Sequence, residues 1–181
     1  MQKGLSTFLF GKLTENESTG AATYATPEKL AGAIECKVTF NKNNATVYSD
    51  NVLKASDYSV SNGTISLGVD NADDAIFGPL LGATKNEESG EWVYTSNDKA
   101  EFVGFGYILM KEEGYKAVFF SKVKFQPFSE DGKTKADKIE YVTPTVEGEF
   151  STLANGEYQR VQTFATEAEA KTYLTACFKA A

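Results

Sequence analysis

The groups in this chain that could do chemistry are two cysteines, Cys36 and Cys177, and 25 acidic side chains; histidine is absent altogether. Without histidine the usual general base of nucleophilic triads and the commonest zinc ligand are both missing. Chemistry by carboxylates alone, as in glycoside hydrolysis, needs two acids facing one another across a substrate. Here the acids gather in polar turns such as Glu87-Glu88 and Glu112-Glu113, which read as solvated loop charge. The cysteines form neither a CxxC pair nor a secreted disulfide framework, so they read as buried core thiols. Gly104-Phe105-Gly106 stops short of a GxGxxG phosphate loop and lies within a strand pattern rather than before a helix. Trp92, the single tryptophan, reads as packing rather than as a ligand platform. No catalytic residue, metal or cofactor site is expected, and an enzyme is the least favoured class.

The remaining bounds come from composition. A chain of 181 residues fits one domain that buries roughly 70% of its unfolded surface. No apolar run approaches the roughly 20 residues of a membrane helix. Leu5 to Leu9 is too short for a secretory signal core, so cytoplasmic synthesis is expected. The net charge of −7 argues against a protein that grips nucleic acid by its phosphates.

The chain is organised around Phe102 to Phe125, two β-rich runs joined at Lys111-Glu112-Glu113-Gly114. On the first arm Val103, Phe105, Tyr107 and Leu109 share one face, and Phe102, Gly104, Gly106, Ile108 and Met110 share the other. Both faces are apolar, so the arm should be covered on both sides. The two glycines predict that something bulky approaches the backbone there. On the return arm the alternation places Ala117, Phe119, Val123 and Phe125 together. Lys116, Lys122 and Lys124 then surround Val118 and Phe120 on an amphipathic face.

In chain order, Ser6 to Leu13 predicts a strand and Thr14 to Gly20 a polar loop. Ile34 to Phe40 alternates as a half-buried strand, Asn41-Lys42-Asn43-Asn44 reads as a turn, and Ala45 to Ser49 as a short strand leading through Asp50-Asn51 into Val52 to Ala55. Asn62-Gly63 between Tyr58–Ser61 and Thr64–Val69 is the signature of a two-residue hairpin turn. A helix is predicted to start at a capping Asn71 and to close at Leu80-Leu81-Gly82, with Pro79 bending or breaking it after Ile76. Glu91 to Thr95, Lys138 to Val142, Thr145 to Phe150 and Tyr158 to Phe164 read as further strands. Thr166-Glu167-Ala168-Glu169 is a capping box for a helix whose apolar face is Ala170, Tyr173, Leu174, Cys177 and Phe178. The fold class is mainly β (α+β), an antiparallel sandwich or barrel with one short middle helix and a C-terminal helix packed on it.

Several of these pieces, read in order, resemble the major tail tube proteins of long-tailed, non-contractile bacteriophages and prophages. They are Ala45 to Asn51, the acidic helix ending Leu80-Leu81-Gly82, Val103 to Tyr107, and Lys116 to Phe125. They continue with Lys138 to Tyr141, Thr143 to Gly148, Gly156 to Phe164 and Thr166 to Ala170. The resemblance spans most of the chain; residues 1–30 and 83–101 carry least of it. It implies a single tail-tube domain and a structural virion protein whose hexameric rings stack into a hollow tube, with no active site. Genomic DNA would pass down the bore without specific binding, and tape-measure and tail-terminator or initiator proteins would be the other partners. Assembly would occur in the host cytoplasm. Residues 14–33 and 41–57, too weakly patterned to bury themselves, are expected to contact other subunits, with Tyr48, Asp50 and Asn51 as the contact residues. The alternatives are the tube protein of a secretion system or phage-tail-like bacteriocin, and a monomeric carbohydrate-binding β-sandwich in which Trp92 and nearby tyrosines line a groove.

Overall fold

The computed structural model describes residues 1–16, 18–49, 52–129 and 143–179, with backbone pairing alone for 44–49 and 52–58. The predicted strand at Lys138 to Val142 lies outside the described residues. The chain folds as a mainly antiparallel sheet with two helices. Its strands are β1 (Gln2–Asn16), β2 (Ala21–Tyr24), β3 (Glu28–Lys29), β4 (Ala33–Ser49) and β5 (Val52–Val69) before helix α1 (Asp74–Leu81). There follow β6 (Thr84–Lys85), β7 (Trp92–Val93), β8 (Phe102–Lys111), β9 (Tyr115–Phe125), β10 (Thr145–Ser151), β11 (Gln159–Phe164) and helix α2 (Glu167–Cys177). The main sheet runs β2-β1-β8-β9-β10-β5-β4, with β11 added to β9 and β3 to β1, while β6 and β7 form a separate two-stranded piece.

The organising hairpin is β8–β9. Its turn closes with the Lys111 N–H donating to the Gly114 carbonyl at 2.9 Å, and Gly114 adopts the left-handed φ of 91° that an L side chain resists. Val103, Phe105 and Tyr107 of β8 face one core, with Phe8, Ile65, Leu67, Val146 and Phe150. Ile108 faces a second core with Ala117, Phe119 and the α2 residues Ala170, Leu174, Cys177 and Phe178. A Cβ on Gly104 would meet the Tyr24 ring at 2.7 Å, and one on Gly106 would meet Leu174 Cδ1 at 2.4 Å. The bulky neighbours expected over the two glycines are therefore one ring and one helix of the same chain.

The return arm differs from its predicted alternation. Between Val103↔Val123 and Phe105↔Phe120 the register consumes an extra residue of β9, a bulge at Ser121–Lys122. That shift moves Val123 and Phe125 onto the face of Val118 and Phe120, leaving Ala117 and Phe119 on the α2 side. The bulged Ser121 is fully buried yet satisfied. Its hydroxyl donates to Glu157 Oε1 at 2.7 Å and its N–H to the Tyr158 carbonyl at 3.0 Å, and its carbonyl accepts from the Tyr24 hydroxyl at 2.8 Å. Here β9 changes partners, from β11 at Tyr115–Phe120 to β10 at Val123–Phe125. The sheet folds over at this point. The β10-β5-β4 side closes on β1-β8, bringing Cys36 of β4 to the Tyr107 hydroxyl, and burial pushes the Cys36 thiol up to about 12.

Two predicted turns are strand interiors. Asn41 to Asn44 run straight through β4, and Asn62-Gly63 sits inside β5, paired with Phe40 and Asn41 on one side and Phe150 and Ser151 on the other. Gly63 has no left-handed φ; a Cβ there would strike the Thr39 carbonyl at 2.3 Å and the Phe150 ring at 2.4 Å. Its glycine is required by an aromatic ring lying on the backbone rather than by a turn. Helix α1 starts two residues later than predicted, capped by Asp73 rather than Asn71; the Asp73 side chain accepts from Ala75 N–H at 2.9 Å, and the helix continues through Pro79 to the left-handed Gly82. Burial of Phe77, Leu80 and Leu81 outweighs the single hydrogen bond that the proline removes. Helix α2 carries the predicted capping box between Thr166 and Glu169.

Thr7 is the one non-glycine residue with positive φ among the described residues, at 58°, in the β1 bulge between Ser6 and Phe8. A β-branched residue is strained there. Thr7→Gly is expected to raise the urea midpoint, by about 0.5 to 1 kcal/mol of stability, since relief of strain exceeds the entropy a glycine adds to the unfolded chain.

Candidate functional site

The outer face of the sheet is covered over only half its width. Over β8 and the first half of β9 it is sealed by α2. Beyond the Ser121 bulge no helix among the described residues covers the same face, which is polar apart from Phe102. One row runs Phe102, Lys124, Glu149, Thr64, Thr39 across five strands, and the next rows are Glu147, Ser66, Lys37 and Thr145, Gly68, Glu35. Apart from Phe102, the alternation is apolar inward and polar outward, as an antiparallel sheet with one wet face requires.

From the same end of the sheet, β4 and β5 continue with no third strand among the described residues. The last pair backed by β10 is Asn62↔Ser151, where Asn41 Nδ2 donates to Asn62 Oδ1 at 3.0 Å. Eight further pairs, Lys42↔Val60 to Ser49↔Val52, belong to β4 and β5 alone. At strand spacing this two-stranded ribbon is about 25 Å long. Ser61 is the extra residue at its root, between Asn41↔Asn62 and Lys42↔Val60, and a second register shift follows Val47. Tyr48 pairs with Leu53 near the far end. Asp50 and Asn51, the other expected contact residues, lie outside the described residues.

Within 14–33, the strands β2 and β3 and the residues beside them are bonded to β1 of their own chain. Leu13 to Asn16 pair with Ala21 to Tyr24, the Ala25 N–H donates to the Lys12 carbonyl, and the Leu30 N–H donates to the Phe8 carbonyl, both at 2.9 Å.

No family model and no curated protein matches this chain. The assignment of a role therefore rests on these surfaces.

A cleft of about 950 Å³ opens between the α1–β8 connection and the β9–β10 strands, lined by Leu81, Tyr94, Phe125, Phe128, Asp74 and Glu149 among others. The Tyr94 hydroxyl donates to Asp74 Oδ1 at 3.1 Å. Trp92 is not on its wall; its ring lies against Gly78 of α1, where a Cβ would approach within 2.6 Å, with Lys85 Nζ 5.9 Å from the ring centroid. The tryptophan thus packs, as its sequence context predicts, and leaves the carbohydrate-platform arrangement without its main aromatic. Among the described residues no cluster of three metal-ligating side chains occurs, and no helix is long and apolar enough to cross a membrane.

A polar network ties the bulge to the end of β1 and to the start of β11. Glu15, nearly buried at the end of β1, takes Lys122 Nζ on one oxygen and the Ala154 N–H, at 2.7 Å, on the other. Glu157 holds Arg160 through Nε at 2.7 Å and Nη2 at 3.1 Å as well as the Ser121 hydroxyl. Burial pushes both carboxyls up, but these hydrogen bonds and cations outweigh it and hold both below the usual 4.5. A carboxylate depressed by folding stabilises fully above its unfolded value and ceases to do so as pH falls through its folded value. Melting temperature should accordingly fall as the pH drops below about 4.5. In a Glu15→Gln, Glu157→Gln double variant that fall should be shallower, which thermal melts from pH 7 to 3 would measure.

Proposed function

We propose that this protein is a structural subunit that polymerises with itself, as stacked rings forming a hollow tube of the kind made by the tail tube proteins it resembles. The observation that carries this reading is the β4–β5 ribbon. An isolated two-stranded hairpin is marginal in water, and eight pairs that no further strand backs among the described residues call for a second surface to lie against. The polar sheet face supports the same reading. It presents Glu35, Glu147 and Glu149 against Lys37 and Lys124. With six copies turned inward, a chain of net charge −7 would surround DNA with a wall that does not grip it. Tyr48, near the far end of the ribbon, would be a contact residue toward a neighbouring ring or subunit, as the sequence suggests also for Asp50 and Asn51. Tape-measure and terminator or initiator proteins would complete the assembly, in the virion tail.

Sedimentation velocity over a hundredfold range of concentration tests this. The expected record is conversion of monomer to rings and then to long polymers. A monomer at every concentration that instead binds a glycan in the Tyr94 cleft would replace the assembly reading with the carbohydrate-binding one.

A further inference from the structure

The sequence contains two Asn-Gly pairs, Asn62-Gly63 and Asn155-Gly156, and the fold treats them oppositely. An asparagine followed by glycine can react with its own backbone, because no side chain keeps the glycine nitrogen from the asparagine Cγ and the glycine backbone rotates freely. At Asn62 that rotation is blocked. Asn62 pairs with Asn41 on one side and Ser151 on the other, its side-chain carbonyl accepts from Asn41 Nδ2 at 3.0 Å, and Gly63 is buried under the Phe150 ring. Asn155 lies instead in the exposed turn between β10 and β11. Gly156 is also exposed, with a φ of 86°, and a Cβ there would meet no heavy atom of the described residues within 4 Å. One further contact favours reaction. The Glu157 N–H donates to Asn155 Oδ1 at 2.9 Å, which draws electrons from Cγ and would stabilise the negative charge that an attack on Cγ places on that oxygen.

We propose that Asn155-Gly156 is a site of self-modification, at which the chain converts Asn155 to aspartate and isoaspartate with water as the co-reactant. The Gly156 nitrogen releases its hydrogen bond to the Leu153 carbonyl, 2.8 Å in the resting turn, gives up its proton and attacks Cγ. A C–N bond forms, the Cγ–Nδ2 bond breaks, and Nδ2 leaves as ammonia with that proton. The product is a cyclic succinimide, which water opens at either carbonyl. Breaking the bond from Cγ to the Gly156 nitrogen gives aspartate in an unaltered backbone. Breaking the bond from the main-chain carbonyl carbon gives isoaspartate, whose backbone runs through Cγ. Either product adds a negative charge, and isoaspartate also lengthens the chain between two anchors, the Ala154 N–H on Glu15 and the Glu157 carboxylate on Ser121 and Arg160. Its formation therefore loosens the tie between this turn and the Ser121 bulge.

The test is incubation of the full chain in mildly alkaline buffer, well below its melt, beside the same chain in concentrated urea. Peptide mass follows both Asn-Gly pairs, and enzymatic methyl transfer counts isoaspartate. Unfolded, the two pairs should react alike. Folded, Asn155 should convert within a few-fold of its unfolded rate, because an exposed turn opens at little cost, while Asn62 should be slowed about a hundredfold or more by the ladder that must open first. Conversion at Asn155 should quicken as the pH rises, since the attacking nitrogen must lose its proton. The isoaspartate form, separated by chromatography, should melt below a chain carrying Asn155→Asp, which has the same charge and an unaltered backbone. An Asn155 that stays intact for the time in which the unfolded chain loses half of its own, or that yields aspartate without isoaspartate, would overturn the site. An isoaspartate form that melts together with Asn155→Asp would overturn the loosening.

Discussion

A chain in which residues 43–59 are replaced by Asn-Gly is expected to fold normally and, under the proposed self-assembly, to form no tubes. The cut is made where the two strands stop serving the domain. Lys42↔Val60 becomes the closing pair of an ordinary hairpin, and Asn-Gly supplies the two left-handed residues that such a turn prefers. The fully buried side chains of the two main cores, among the described residues, come from β1, Leu30, β5 beyond Gly63, β8 to β10, and α1 and α2 with Phe178. The shortened protein should thus melt within a few degrees of the parent. If the ribbon is what lies against a neighbouring copy, the same cut removes the interface, and sedimentation should show monomers or short oligomers where the parent polymerises. Normal tubes from the shortened chain would reject the ribbon as a contact.

The largest effect on stability is expected at Phe119. Its ring is fully buried between the sheet and α2, with centroids 5.4 Å from Tyr24 and 4.9 Å from Phe178, both edge-on. Truncation to alanine removes that whole contact and leaves a cavity between elements that cannot both relax, since β9 is fixed by β8 on one side and β11 on the other. The expected loss is about 3 to 5 kcal/mol, or a fall in melting temperature on the order of 10 °C for a chain of this size. Helix α2 depends on this one cluster for its burial, so helical signal should melt ahead of the sheet. Val161→Ala, at an exposed position, is the matched control and should change stability by less than about 0.5 kcal/mol. An alanine at position 119 that costs no more than the control would show that α2 is held by something other than this ring.

How far the sequence revealed the structure depended on whether a local signal had a single physical meaning. Thr166-Glu167-Ala168-Glu169 did, because a reciprocal cap before an apolar stripe has no other use, and α2 lies where predicted. The β8–β9 hairpin was equally readable, down to the close neighbours that Gly104 and Gly106 require. Asn62-Gly63 had two meanings. Glycine is needed both for left-handed turns and where a ring presses on the backbone, and only the Phe150 ring, distant in sequence, decides for the second. With that turn misplaced, Asn41 to Asn44 took the role of a bend, and the longest hairpin of the fold was read as fragments. The phase of β9 was hidden for a similar reason. Ser121 looks like any polar residue in a strand, and its bulge exists because Glu157, Tyr158 and Tyr24 satisfy it from two other places in the chain.

Of the candidate contact surfaces, the sequence marked the stretch around Tyr48 as poorly self-sufficient, and the structure pairs that residue at the far end of a ribbon. It gave no hint of the polar sheet face, because which part of a sheet the helices cover is a property of sheet order rather than of composition.

Electron microscopy of the purified protein, imaged across a range of concentrations, tests most directly whether this chain is completed by copies of itself. The account predicts rings with an open centre at low concentration and stacked tubes of constant width at high concentration. Uniform single particles of about 20 kDa at every concentration, with the ribbon protected from proteolysis in the monomer, would contradict it.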